Sequence, residues 1–266
     1  MGNHKPKKKL GQHFLTAPYY AKRIAEAIPQ NENESVVEIG PGSGALSVYL
    51  KERFPCFHLV EKDPDIVPLL KQKLGQEGKW TIHTEDIMSF DLHQLTPPLH
   101  VVGNLPYNIA ALIIKKVLMA APLVASVTFM VQREVAERIV AGPNSKTNGF
   151  LSVFCRFFGD PVILFHVPSG AFFPKPKVES SVFQLILNQG RYTLLARVAW
   201  GSFFSYVTRG FTMRRKMLIK SLSWKSKNKT DYIRYWHQAG IDSKARPENL
   251  TVFDWIRLYK IAGELC

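Results

Sequence analysis

The chain has 266 residues, 46% of them hydrophobic and 12% aromatic, which excludes a disordered arm and allows one large domain plus a smaller one. Its formal net charge of +14 is uneven: +4 on residues 1–9, +10 on residues 191–266, and 16 basic against 16 acidic side chains between them. Two basic ends around a neutral centre point to a polyanionic partner, although a solvated surface is the plainer reading of any one charge run.

Along the chain, short β-rich runs alternate with helical stretches. Val36 to Ile39 reads as a strand and Ala45 to Arg53 as a helix; Phe57 to Val60 and Pro64 to Leu74 repeat the pattern. Trp80 to Thr84 and His100 to Val102 are further strands, followed by a helix over Ile109 to Ala120 and a strand over Val124 to Val131. Gly142 to Gly149 has the composition of a surface loop. Val162 to His166 and Val178 to Leu187 read as a late strand pair joined by a Pro-rich loop, and from Arg191 the pattern becomes helical and basic. This alternation predicts a Rossmann-like α/β domain, a parallel sheet flanked by helices with ligands at the carboxyl ends of its strands. The boundary is placed at Asn188-Gln189-Gly190, giving a domain over 1–190 and a basic helical domain over 191–266. No apolar run reaches the roughly 18 residues that span a bilayer. The basic N-terminus has no apolar segment behind it, so secretion is not expected. Three widely spaced cysteines and eight histidines without HxxxH spacing suit a reducing, cytoplasmic compartment and predict no catalytic metal.

Three strand ends carry a pattern. Glu38-Ile39-Gly40-Pro41-Gly42-Ser43-Gly44 joins the first strand to the first helix with GxGxG spacing, a turn that lets a ligand approach the backbone closely. Glu61 ends the second strand, where a carboxylate can accept both hydroxyls of a ribose. Asp86 follows the third, where it can accept the amino group of an adenine. Each acid taken singly reads more readily as an exposed loop residue. With no P-loop Lys-Ser/Thr present, the order Gly-rich, acid, acid points to S-adenosylmethionine.

On the fourth strand stands Asn104-Leu105-Pro106-Tyr107. The exocyclic amine of a nucleobase is a poor nucleophile because its lone pair is delocalised into the ring. The Asn104 side-chain oxygen and the Leu105 carbonyl can accept its two N–H bonds. Pro106 holds Leu105 extended, and Tyr107 offers a stacking face for an extruded base. A strand-ending turn with a buried Tyr is the plainer reading of the tetrapeptide alone.

Together these residues resemble the KsgA/RsmA family of rRNA adenine dimethyltransferases. The resemblance runs from Lys7-Lys8-Lys9-Leu10-Gly11-Gln12-His13-Phe14-Leu15 through the glycine loop, Asp86 and Asn104 to Ile109, Val131 to Arg138, and Ala171-Phe172-Phe173-Pro174-Lys175-Pro176-Lys177-Val178-Glu179-Ser180. It continues to Arg214-Arg215-Lys216 and Arg246-Pro247-Glu248-Asn249-Leu250. It implies that His13 and Leu15 touch the methionine and sugar region of the cofactor, that Gly40 packs on the methionine, and that Glu61 holds ribose and Asp86 adenine. Asn104 would sit between cofactor and target, and Phe172 would be the second stacking wall opposite Tyr107, with Phe173 as packing. The family usually has Asn where this chain has His13, so the backbone there can serve while its side chain's contact stays open. The implied activity is dimethylation of the N6 amines of two adjacent adenosines near the 3′ end of small-subunit (16S) rRNA, taken either as naked RNA or in the assembling 30S subunit. With no evident apolar stripe for a dimer, a monomer is the default expectation. An Erm-type enzyme acting on large-subunit RNA is the nearest rival, disfavoured by the FFPKPKVESS segment and the basic tail. DNA or protein-amide substrates are disfavoured by Leu105, where Pro is usual. A non-catalytic binding factor on the same fold is disfavoured by the intact Gly40, Glu61, Asp86, Asn104 and Tyr107.

Overall fold

The structure, a computed structural model, describes residues 12–30, 34–54, 56–76, 78–194, 200–222 and 229–262. Lys7 to Gly11 of the expected entry segment lie outside them. The chain divides into two compact units, one built from residues up to Ala136 together with Pro161–Leu187, the other from Glu137–Asp160 together with residues from Asn188 onward.

The first unit opens with β1 (Phe14–Leu15) and α1 (Pro18–Ala27). Proline at the first helical position leaves no amide unsatisfied there. Ile28, which precedes Pro29, is extended and ends the helix. Then follow β2 (Ser35–Ile39), α2 (Ser47–Arg53), β3 (Cys56–Val60), α3 (Val67–Leu74), β4 (Lys79–His83), β5 (Leu99–Asn104), α4 (Ala110–Met119) and β6 (Val124–Gln132). The unit closes with β7 (Val162–Val167), β8 (Phe172–Phe173) and β9 (Ser180–Ile186). Seven strands form one sheet in the order β4-β3-β2-β5-β6-β9-β7. Strands β2 to β6 pair in parallel, and β9 lies antiparallel between β6 and β7. All five residues of β2 are buried, as expected of a central parallel strand covered on both faces. A side chain at Gly103 would put its Cβ 2.5 Å from the Ile39 carbonyl oxygen, so β2 and β5 approach this closely only because position 103 is glycine. The alternation expected between Ser35 and Leu187 is present, including the antiparallel pair β7 and β9. The two-residue ribbon of β1 against β8, pairing Phe14 with Phe173 and Leu15 with Phe172, had no sequence signal.

The second unit holds α6 (Phe150–Phe158), α7 (Gln189–Leu194), α8 (Trp200–Gly210), α9 (Leu218–Leu222), α10 (Lys229–Gln238) and α11 (Val252–Ala262); α5 (Arg133–Val140) runs across the division. The sequence-based first domain, 1–190, thus contains Glu137–Asp160, a segment that packs with the second unit. The cause is aromatic. Phe154, Phe157 and Phe158 of α6 are fully buried, and their rings lie 4.6–6.1 Å from Phe204 of α8. Phe203 meets Phe157 at 5.3 Å and Tyr259 at 5.6 Å. The aromatics interleaved with the basic tail are therefore largely core: Phe203, Phe204 and Tyr206 are buried. Among the described residues no helix is long and apolar enough to cross a membrane.

Candidate active site

Sheet building proceeds outward from β2 through β3 and β4, then reverses to the other side through β5. Such a switch leaves a crevice at the strands' carboxyl ends. Here it is a cavity of about 230 Å³ lined by His13, Leu15, Gly40, Glu61, Asp86, Asn104, Leu105, Pro106 and Tyr107, together with Glu38, Phe14 and Lys62. Phe172 does not line it.

The loop after β2 turns on glycines with positive φ, +62° at Gly40 and +54° at Gly42, a region costly for residues with a Cβ. A Cβ on Gly40 would meet nothing within 4 Å, so that backbone faces open space. At Gly42 it would stand 2.9 Å from the Phe14 ring, which lies on the loop as a roof. The loop is held from below by Glu61, whose Oε2 accepts from the Gly42 amide at 3.0 Å and whose Oε1 accepts from the Asp63 amide at 2.8 Å. The Lys62 amide donates to the same carboxylate, which leaves about one of its four lone-pair positions open. Burial pushes the Glu61 carboxyl above its ordinary range despite these donors. Glu38, also buried, is pushed up to about 8, chiefly by burial and further by the Glu61 charge, although Ser47 Oγ donates to it at 2.6 Å. Asp86 is the opposite case. Lys62 Nζ stands 2.6 Å from its Oδ2 and the Met88 amide donates to Oδ1 at 2.9 Å, which hold its carboxyl below the usual range.

Asn104 ends β5, and its Nδ2 donates to the His13 carbonyl at 2.9 Å. A carbonyl only accepts, so the contact fixes which end of the amide is nitrogen, and Oδ1 is left as the free acceptor. The Leu105 amide donates to Met130 O at 3.0 Å, which carries the β5–β6 ladder one residue past the strand, and Ile109 N closes a turn onto Pro106 O at 3.1 Å. Tyr107 is half-buried. Its hydroxyl lies 2.8 Å from Ser180 Oγ, and its ring stacks on the His13 imidazole with centroids 5.5 Å apart at 22°. Burial raises its phenol above the ordinary range.

Two expectations change. Phe172 is 4% exposed and belongs to the core that includes Leu15, Ile24 and Val182. Successive residues of a strand face opposite ways, and it is Phe173, taken as packing, that stands 63% exposed. His13, whose side chain had no assigned contact, has one: its Nδ1 lies 2.7 Å from Pro174 O. The sequence assigns no role to Glu38 or Lys62, although Lys62 adjoins Glu61 and Glu38 opens the glycine segment two residues before Gly40. Nor does it mark Ser180 as the partner of Tyr107, which no spacing reveals because the two are 73 residues apart.

The family model for ribosomal RNA adenine dimethylase matches residues 3–264. A protein of Alcanivorax borkumensis named ribosomal RNA small subunit methyltransferase A is 36% identical, over 98% of this chain and 92% of its own length. One of the same name from Xanthomonas oryzae is 38% identical, over 96% and 95%. Among solved structures, a dimethyladenosine transferase from Plasmodium falciparum superposes with a TM-score of 0.83 at 19% identity, covering 95% of this chain and 98% of that one, a likeness of fold. The 23S rRNA methyltransferase ErmE gives 0.72 at 25% identity, covering 93% and 98%.

Proposed function

The chain belongs to the ribosomal RNA adenine dimethylase family, and from that premise we propose that it dimethylates the N6 amines of two adjacent adenosines near the 3′ end of small-subunit rRNA, with S-adenosylmethionine as methyl donor. The donor set suits that cofactor. Gly40 offers an open backbone face, Glu61 a buried carboxylate with a lone-pair position left for a ribose hydroxyl, and Asp86 a charged acceptor for the adenine amine. When bound, S-adenosylmethionine supplies an already activated methyl group, so the protein's share is position and electrostatics.

The observation that carries the reading is the orientation of Asn104. With Nδ2 held by the His13 carbonyl, Oδ1 is prepared to accept an N6–H bond, and the Leu105 carbonyl takes the second. Holding both bonds draws the nitrogen towards tetrahedral geometry and returns its lone pair from the ring. Tyr107 stacks the extruded base. The proton of the methylated ammonium leaves to water, and no side-chain base is needed. The basic ends of the chain bind RNA phosphate. Labelled methyl transfer to small ribosomal subunits lacking the modification, with large-subunit RNA as control and nucleosides read by mass spectrometry, tests the reading. Dimethyladenosine in the small subunit alone is expected. Label in the large-subunit RNA would move the enzyme to the Erm-type reaction, and no label anywhere would reduce it to a binding factor.

A further inference from the structure

α1 divides its residues by face. Ala21, Ile24 and Ala25 are buried, and Ile24 lines the cavity. The opposite face carries Tyr19, Lys22, Arg23 and Glu26. The Arg23 guanidinium lies 4.0 Å from the centroid of the Phe165 ring and 5.5 Å from that of Tyr19. Phe165 of β7 is itself anchored, because it packs on the core and stacks on Tyr20 with centroids 6.4 Å apart. A stacked guanidinium uses its face and keeps its N–H donors along the edge. Among the described residues Arg23 meets no carboxylate, and its one hydrogen bond runs from Nη1 to the Tyr19 hydroxyl at 3.4 Å. Arginines that serve the fold spend their donors: Arg156 on the Ala141 and Val140 carbonyls, Arg191 on the Asp160 carboxylate. Glu26, the acid of this face, stands instead 3.9 Å from Lys22. Tyr19 is 63% exposed, so its ring is open to a further partner.

We propose that Arg23 and Tyr19, backed by Phe165, form an RNA-contact surface of the first unit: the guanidinium edge takes a backbone phosphate of the substrate rRNA, and the Tyr19 ring takes an unpaired base beside it. This rests on the function proposed above. A guanidinium fork matches phosphate oxygens bidentately. Resting it on an anchored ring removes rotamer freedom before the RNA arrives, so less is lost on binding. A phosphate contact carries no sequence information and serves to position the strand. The stretch 10–190 has no net charge, so this contact comes from the placement of one cation and not from bulk charge. Because Ile24 faces the cavity from the same helix, the phosphate lies one helix diameter, about 10 Å, from the cavity wall.

Full-length protein and a labelled oligonucleotide copying the 3′ end of small-subunit rRNA give affinities by fluorescence anisotropy across a salt series. Arg23→Gln keeps polarity and most of the length while removing the charge. It is expected to weaken binding about fivefold near 0.1 M salt and to lower the slope of log affinity against log salt by about 0.7 to 0.9, the share of one phosphate. Tyr19→Ala is expected to weaken binding about tenfold, the scale of one lost stack, with the slope unchanged. Thermal midpoints confirm that both variants fold. A wild-type slope in Arg23→Gln, whatever its affinity, would overturn the inference by reducing Arg23 to a packing role, and would leave the function standing. Intact RNA affinity in both variants, with methylation of whole small subunits weakened, would also overturn it by giving the surface to a ribosomal protein. A wild type that transfers no methyl to small subunits would remove the functional reading, and the inference with it.

Discussion

Asn104 is tied through its nitrogen to a backbone carbonyl, so its substitutions separate cleanly. Asn104→Ala should lower the methyl-transfer rate by about two to three powers of ten, the cost of one positioned polar group. Cofactor affinity, read by calorimetry, should change far less; wild-type turnover would remove the role. The two phenylalanines of β8 divide between core and surface. Phe172→Leu, which roughly keeps volume in the core, should cost less than about 1.5 kcal/mol of stability and leave methylation largely intact. Phe173→Ala should leave stability unchanged and weaken RNA methylation. A large loss of methylation in Phe172→Leu at an unchanged melting temperature would return the stacking wall to Phe172. Glu38 gives a pH test. Its carboxyl is raised from 4.5 to about 8, so between those values the folded chain holds a proton that the unfolded chain has released. Its contribution to stability is full below pH 4.5, declines as pH rises, and is gone above about 8. Glu38→Gln, neutral and still an acceptor for Ser47, should remove that decline, a difference on the order of a few kcal/mol at pH 9. Urea titrations at pH 5, 7 and 9 read it; equal pH slopes in both proteins would mean that Glu38 is ionised in the fold.

At the scale of elements, β2 and β5 carry the site because Gly103 lets them close. Gly103→Ala forces the Ile39 carbonyl away and should cost roughly 1–3 kcal/mol, as overpacking does. It should also weaken cofactor binding, because Gly40 and Asn104 each follow directly on the paired residues Ile39 and Gly103. An unshifted denaturation midpoint would show that the sheet yields at no cost. This layer was largely legible in the sequence. Val36 to Ile39, Phe57 to Val60 and Val124 to Val131 are apolar runs of strand length, each followed by a helical stretch, and the acids and glycines sit at their ends. Short-range pattern has no access to pairings made far along the chain. The two-residue β1 shows no periodicity, and its partner β8 lies more than 150 residues away. Whether Phe172 or Phe173 faces the core depends on that pairing, so short-range pattern has no means of telling which of the two rings is exposed. Segment 137–160 was misplaced for a related reason: Phe154, Phe157 and Phe158 advertise a buried face without saying which partners bury it.

The whole molecule carries its excess charge at the two ends of the chain. RNA affinity should therefore fall on the order of tenfold or more between 50 and 200 mM salt, while cofactor affinity stays nearly flat. Fluorescence anisotropy of a labelled rRNA hairpin measures the slope, and a flat response would deny these ends a part in phosphate binding. A chain ended at residue 190 would lose α8 and α11 and leave the aromatic face of α6 bare, so it should be recovered as aggregate, not as a folded catalytic domain. A soluble truncation with a sharp melting transition would show that α6 finds other cover. The interleaving of the two units along the chain also constrains synthesis. As the polypeptide leaves the ribosome, α6 emerges well before α8, so its phenylalanines wait unshielded while β7 and β9 are still being made. The first unit is equally incomplete until those strands arrive. Neither unit completes its contacts ahead of the other in simple succession, and between Phe158 and Phe204 the nascent chain carries an aromatic face whose cover has yet to be made.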